Sequence, residues 1–459
     1  MTKSLGRRGR GVWHAARAVT AKPTLTMDEV ARHDGRDGTY WIEVQGEVYD
    51  VTDFVPKHPG GGLLKLGAGR HATTLFESYH PGAALDHARK ALAKRGKHLG
   101  SLSAAEREPY GDPAFFDAIR SRVDALLKAR KLNYHSMGWL TGLESVVLVL
   151  LFLTAWYFRI NGGSLGMSYL AAAIGGVFVA RLGFVMHIGN HAAVGRRGAG
   201  IASVGTLMDF VGGSSLVWQA SHQVSHHGKP NISGADNDAE IGYPLLRFHP
   251  ELPRKPWHRI QTVTLGVGIS IGLVKWVISD LKFLRLGRVT HAPFHVSRAA
   301  WAKVAVFKTL WVAMHVVAPI VLLGPLHGLL TTLVMMAVGA YYMEGIFIVN
   351  HLQRGLVPRA GAHWAEQQLQ SSANWGSASR WANWVSGGLN HQVEHHLFPS
   401  MSMYLYPVIS PVVRETCKEF GLEYRDYSGY WVALAHCVGY LHELGRPEPH
   451  AIATSAHAS

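Results

Sequence analysis

Four stretches of this chain, 139–158, 169–186, 304–323 and 326–349, are apolar over nearly the length a helix needs to cross a bilayer, roughly 20 residues. A soluble helical bundle would need polar faces on 139–158 and 304–323, and those faces are nearly absent. The chain is therefore expected to be a mainly α membrane protein with four transmembrane helices. A fifth stretch, 262–278, is shorter, rich in glycine and carries Lys275. Glu144 and Lys308 stand near segment ends, from which their side chains are expected to reach the interface.

Charge placement orients these segments. The links 160–168 and 324–325 carry no Lys or Arg, whereas 228–303 carries eleven. By the positive-inside rule both termini and the long loops face the cytoplasm. The net charge of +14 and pI near 9.7 are then those of a cytoplasmic membrane face rather than of a nucleic-acid binder. Cys417 and Cys437 are too few for a disulfide scaffold and make no ligand spacing. Residues 1–23 hold Lys3, Arg7, Arg8, Arg10, Arg17 and Lys22 without an acid. They share this character with organelle transit peptides, but serine is scarce and a folded-looking domain follows, so they read as a solvated basic tail. No secretory signal precedes that domain, which is expected to stay cytosolic. Residues 446–459 read as a C-terminal tail.

Of the 28 histidines many are scattered, such as His14, His33, His315 and His436, and read as ordinary core or surface residues. Seven are not. HIGNH supplies His187 and His191, HQVSHH supplies His222, His226 and His227, and QVEHH supplies His395 and His396 behind Gln392. The pairs His187/His191 and His222/His226 are spaced i,i+4, so on a helix each projects from one face toward a common point. His227 and His396 directly follow another histidine and point away from it, which suits two metal ions rather than one. Consecutive imidazoles in an apolar chain are costly to bury unless a metal compensates them. The first two clusters share one loop, so the third joins them only after an even number of crossings. The stretch 262–278 is accordingly expected to be interfacial or re-entrant, leaving the clusters in a cytosolic histidine-rich cap.

Residues 24–102 are charged, mixed and free of long apolar runs. Within 39–54 the alternation suits strands about a turn at Gly46, and HPGGG follows at His58 to Gly62. There Pro59 and the glycines make a tight, open backbone that a flat cofactor can approach. A second imidazole comes 22 residues later, at His80 in ESYHPG; His71 competes for the role at 13 residues. Two axial imidazoles close a haem iron to oxygen and leave electron transfer. The run VYDVTDFVPKHPGGG resembles cytochrome b5, which implies a small α+β domain with haem b between His58 and His80. Residues 103–135 are expected to be a short linker that raises the haem's effective concentration at the metal site.

Nearly the whole chain after residue 24 resembles the membrane fatty-acid desaturase and hydroxylase family. Carboxylate-bridged diiron bundles use Glu and Glu-x-x-His ligands; here the candidate ligands are imidazoles. The fused haem domain and Gln392, where a first histidine of the third cluster is usual, make the chain similar to front-end desaturases. SGGLNHQVEHHLFPSMSMYLYP at Ser386 to Pro407, YPLLRFHP at Tyr243 to Pro250 and FIVNH at Phe347 to His351 look closest to the Δ4 and Δ5 subgroups. The resemblance implies a desaturase domain over 136–445 with two non-haem irons. Its iron ligands would be His187, His191, His222, His226, His227, His395 and His396, with His351 a further ligand and Gln392 approaching the metal. Ile188 departs from the Asp usual after the first histidine, whose orienting role Asp209 or Asp236 would cover. ADND at Ala235 to Asp238 is a lesser departure.

The same resemblance implies the chemistry: O2 and two electrons, passed from an NADH-dependent cytochrome b5 reductase through the fused haem, remove two hydrogens from a polyunsaturated fatty acyl chain. The acyl chain would be carried by coenzyme A or a phospholipid and would enter an apolar tunnel. Trp218, Trp375, Trp381 and Trp384 would line its mouth or simply sit at the bilayer interface. The implied location is the endoplasmic reticulum, with a plastid membrane as alternative. Competing readings are Δ6 or Δ8 acyl or sphingoid-base desaturation, or hydroxylation. From another class come a membrane haem electron carrier and a metal transporter. A transporter should hold ionisable groups inside its spans, and 139–158 and 304–323 offer few.

Overall fold

The computed structural model describes residues 23–195, 199–289 and 292–447, with no account of the side chains of 199–203. Residues 1–22 of the basic tail, His14 among them, and 448–459 of the C-terminal tail lie outside the described residues.

The amino-terminal unit is built on a four-stranded sheet of strands β1 (Thr24–Leu25), β2 (Trp41–Val44), β3 (Glu47–Asp50) and β4 (Lys97–Leu102), in the order β1-β4-β3-β2. β2 and β3 form a hairpin in which Val44 faces Glu47 across Gln45 and Gly46. Both turn residues have positive φ, 53° and 84°, the backbone that a two-residue hairpin requires for its twist. Strand alternation sorts the side chains into two layers. Ile42, Val44, Val51, Phe54, Ala72 and Leu92 pack toward the helices Thr73–Ser78 and Ala83–Arg95, while Leu25, Val30, Val48 and Leu102 close the other face.

Residues 103–135 are more than a tether. They contain the helix Ala114–Ala129, which buries Phe115, Phe116, Ile119, Val123 and Leu127. The spacing of four between Phe115, Ile119, Val123 and Leu127 makes one apolar stripe, and the stripe packs with Ile188, Val393, Leu397 and Ile409 in a common core. The segment is thus fixed to the histidine-bearing part of the molecule.

Among the described residues, four helices are long and apolar enough to cross a membrane: Gly138–Asn161, Leu165–Asn190, Arg298–Leu323 and Pro325–His351. They pair as two hairpins through Gly162–Ser164 and Gly324, the latter with φ +80°. The second and fourth approach closely because Gly176 lacks a side chain; a Cβ there would lie 2.4 Å from the Met335 carbonyl oxygen. Pro256–Ser270 and Gly272–Leu286 form a pair bent by 71° at Ile271, the geometry of a broken span or a re-entrant loop. Glu144 and Lys308 do not reach for the interface as expected. Glu144 pairs with Arg181, and Lys308 Nζ lies 2.9 Å from Asp280 while donating to the Gly212 carbonyl. Pairing within the protein removes the cost of an isolated charge at these depths. The molecule is therefore mostly helical, with four apolar helices and a small α+β unit at the amino end.

Candidate metal centre

The second apolar helix runs on past its hydrophobic stretch to Asn190 and carries His187 on its last turn, with His191 capping it. His222 and His226 stand on a π-helical segment, Gln219–His226, where the His227 amide donates to the His222 carbonyl at 2.8 Å. His222 and His226 stay neighbours, their rings stacked with centroids 5.1 Å apart, and the wider turn adds His227. An i→i+5 bond brings His222 and His227 to one side, while His226 turns toward a different neighbour set. His395 and His396 lie on the short helix Gln392–Leu397, and His351 ends the fourth apolar helix.

The imidazoles fall into two groups. His187, His191, His222, His227 and His395 each offer a ring nitrogen, all within 4.8 Å of one another; His226, His351 and His396 do the same. His222 and His226 also come together with Asp238. In the first group Nε2 atoms crowd a common point: His187 to His222 3.0 Å, His222 to His227 3.2 Å, and His227 to His395 3.1 Å. Gln392 stands beside the second group, its Nε2 2.9 Å from His351 Nε2 and its Oε1 accepting from Asn350. Among the tryptophans, Trp218 stacks on His222 with centroids 4.5 Å apart, and Trp375 is buried and donates to Asn350. Trp381 and Trp384 are exposed and tilt against each other.

Five of the eight rings are aimed by a partner on the far nitrogen, whereas Nδ1 of His187 and of His227 is buried without one. His226 Nδ1 meets Asp236 at 3.0 Å, His395 Nδ1 meets the Tyr406 hydroxyl at 3.1 Å, and His396 Nδ1 donates to Gln368 Oε1 at 2.6 Å. His351 Nδ1 donates to the Ser371 carbonyl at 2.8 Å, and His191 Nδ1 meets the Tyr79 hydroxyl at 2.6 Å. Asp236 thus orients a histidine of the second cluster rather than of the first, where Ile188 stands, and Asp209 is engaged by Lys303 at 2.7 Å and the Ser215 amide, so neither acid reaches His187. Tyr79, Gln368 and Tyr406 carried no signal in the sequence, because an uncharged partner of a histidine belongs to no spacing pattern.

These groups fit a metal. His191 Nε2 and His396 Nε2 are buried without a hydrogen-bond partner, an arrangement that costs free energy unless something coordinates them. Burial, reinforced by neighbouring imidazoles, holds His191, His222, His227, His395 and His396 well below the ordinary histidine range. They are neutral, the form that ligates. In His226 burial opposes the charge but Asp236 and Asp238 outweigh it, lifting its pKa to about 9.

A cavity of about 800 Å3 lies in the amino-terminal unit, lined by Phe54, Leu63, Leu75 and Phe76 around His58 and His80. The two rings stand edge to face, their planes at 80° and their centroids 6.0 Å apart. His80 Nδ1 donates to the Phe76 carbonyl at 2.6 Å, which leaves Nε2 for a ligand. Burial and the nearby His80 push His58 down to about 4, so it too is a neutral donor. A flat apolar group with two axial imidazoles fits this cavity. His71 is directed elsewhere, at 2.9 Å from Glu43. Tyr134 of the connecting segment and Ala192 and Ser400 of the histidine-bearing part also border the cavity.

A membrane enzyme with a haem pocket and a histidine-built metal centre on one chain is the class these features define. Residues 164–428 match the family model for fatty acid desaturase, and residues 26–103 match the cytochrome b5-like haem/steroid binding domain. The chain is similar to an acyl-lipid (8-3)-desaturase of Physcomitrium patens, at 30% identity over 447 residues and 92% of each chain. It is also similar to a chloroplastic acyl-lipid (7-3)-desaturase of Chlamydomonas reinhardtii, at 30% identity over 87% of this chain and 80% of that one. A Delta(5) fatty acid desaturase A of Dictyostelium discoideum is 27% identical over 94% of this chain and 95% of its own. The chain belongs to the fatty acid desaturase family, with a cytochrome b5-type haem domain fused at its amino end. It is an oxidoreductase that uses haem and a pair of non-haem irons.

Proposed function

We propose that the protein is a front-end acyl-lipid or acyl-CoA desaturase. It inserts a cis double bond at Δ5 or Δ4 of a polyunsaturated acyl chain, between an existing double bond and the carboxyl end. The names of the similar proteins, (8-3)-, (7-3)- and Delta(5) desaturases, support a position near the carboxyl end. The single observation that carries the reading is two groups of buried imidazoles at the same ends of two apolar helices, with a haem cavity packed over them. We take 24–102 as the haem unit and 136–445 as the catalytic unit. An NADH-dependent cytochrome b5 reductase supplies the electrons, and the endoplasmic reticulum is the membrane, with the termini and the histidines on its cytosolic side.

In this reading His187, His191, His222, His227 and His395 hold one iron, and His226, His351 and His396 the other, with Gln392 beside it. With O2, a diiron site supplies the oxidising power to take hydrogen from an unactivated carbon. Removing two hydrogens and reducing O2 to two waters consumes two electrons and two protons from outside. The chain's own residues prepare that step. Asp236, Gln368, Tyr406 and the Ser371 carbonyl fix the ring planes, so ligand geometry is set before substrate arrives. His58 and His80 hold the haem. The acyl chain enters between the spans, where depth selects the carbon pair; the apolar slot lined by Val179, Gly183, Met186, Met208, Trp276 and Met343 encloses only about 20 Å3, so the spans must part to admit it.

Expression in a yeast fed defined polyunsaturated acids, followed by mass analysis of the products, tests this. A new double bond at Δ5 or Δ4 is expected. A hydroxylated acid, a modified sphingoid base or a double bond beyond the existing one would reject it.

A further inference from the structure

The side chain next to the haem ligand His80 in sequence leaves the haem unit and enters the metal centre. Tyr79 borders the haem cavity, and its hydroxyl lies 2.6 Å from His191 Nδ1, the two rings stacked at 24°. A second bond anchors the same oxygen: Gln223 Nε2 donates to it at 2.7 Å and to the Asn190 carbonyl at 2.9 Å. Asn190, His191 and Gln223 all belong to the first two histidine clusters. A hydrophobic surface alone could not give this register, because it is non-directional. Two hydrogen bonds converging on one phenol oxygen can, and both of its lone pairs are then used.

We propose that Tyr79 is a positioning residue that locks His191 in orientation and the haem pocket in register with it, for one-electron transfer between them. This rests on the reading that His191 binds iron. With its orphaned Nε2 turned to the metal, His191 keeps its hydrogen on Nδ1 and donates it to Tyr79. Each transfer moves one electron from ferrous haem, left ferric, to the metal group. Tyr79 is neither oxidised nor deprotonated, and burial raises its pKa further above the ordinary phenol value.

The test uses the full-length protein in detergent, loaded with ferric iron. The haem is reduced by stoichiometric dithionite under nitrogen, and loss of the ferrous haem absorbance is timed. Iron retention against a chelator is measured in parallel. Tyr79→Phe keeps the ring and the haem spectrum but is expected to slow haem oxidation about tenfold and to weaken iron retention roughly ten- to a hundredfold. Tyr110→Phe removes a hydroxyl that donates to Glu77 at the same interface without touching His191, and is expected to match the parent in both measurements. Either loss in Y79F, absent from Y110F, supports the assignment. Parental values of both in Y79F, or equal losses in the two variants, overturn it. If Y79F fails to bind haem, Gln223→Met removes the second bond from outside the haem unit and carries the same comparison. A parent protein that binds no non-haem iron overturns the metal reading instead.

Discussion

His226 and His227 are chain neighbours whose side chains serve different groups, and so are His395 and His396. Successive residues on a helix point about 100° apart, so a doubled histidine can feed two ions from one short segment. His395 belongs to the five-membered group and stands between it and Tyr406. His395→Ala is therefore expected to abolish product formation and lower the non-haem iron content while leaving the haem absorbance unchanged; metal analysis beside product assay checks it, and retained desaturation would reject the role. The clustered histidines are legible because metal ligation confines both residue type and spacing. Their orienters are not, with the exception of Asp236. The hydroxyl of Tyr79 reaches its ring across 112 residues and the amide of Gln368 across 28, and no local pattern announces either.

At the scale of elements, the four apolar helices could be read from the sequence because the bilayer fixes their length and composition. They extend a few residues beyond the apolar runs, to Asn190 and His351, since a helix that presents ligands must continue past the hydrocarbon to do so. Two features escaped that reasoning. The helix Ala114–Ala129 sits in a stretch expected to be a short linker, but its stripe of Phe115, Ile119, Val123 and Leu127 has a place to bury. The π segment Gln219–His226 has the same residue spacing as an α-helix and differs only in where its amides bond. Its extra residue decides which histidines share a group. Deleting Ala220 removes that residue, and relaxation to α geometry turns His222, His226 and His227 by about 100° relative to the ligands of the other clusters. The expected outcome is a haem-replete protein with little non-haem iron, measured by metal analysis. Full iron loading of the deletion would show that the wider turn is dispensable.

For the whole molecule, the decisive feature is that the haem unit is docked rather than merely tethered. Glu77, fully buried, ties the two parts together: Gln45, Arg89 and Tyr110 reach its Oε1 at 2.8, 2.8 and 2.9 Å, and Trp364 Nε1 donates to Oε2 at 2.7 Å. Burial alone would raise its pKa, but the nearby His363, the bonds from Trp364 and Tyr110 and the charge of Arg89 outweigh that, and the net shift is downward from 4.5. A carboxylate with a depressed folded pKa contributes stability above its unfolded value and loses it as pH falls through the lower folded one. Glu77→Gln leaves Arg89 facing a neutral amide, at a cost of about 3 kcal/mol, the low end for breaking a buried pair. Hydrogen exchange in the helix Thr73–Ser78 reads this locally. The gap in protection between parent and variant should be constant well above pH 4.5 and close as the pH drops below it. A gap that persists in acid would assign the effect to shape rather than charge. No gap at neutral pH would mean that the docked arrangement does not depend on this carboxylate.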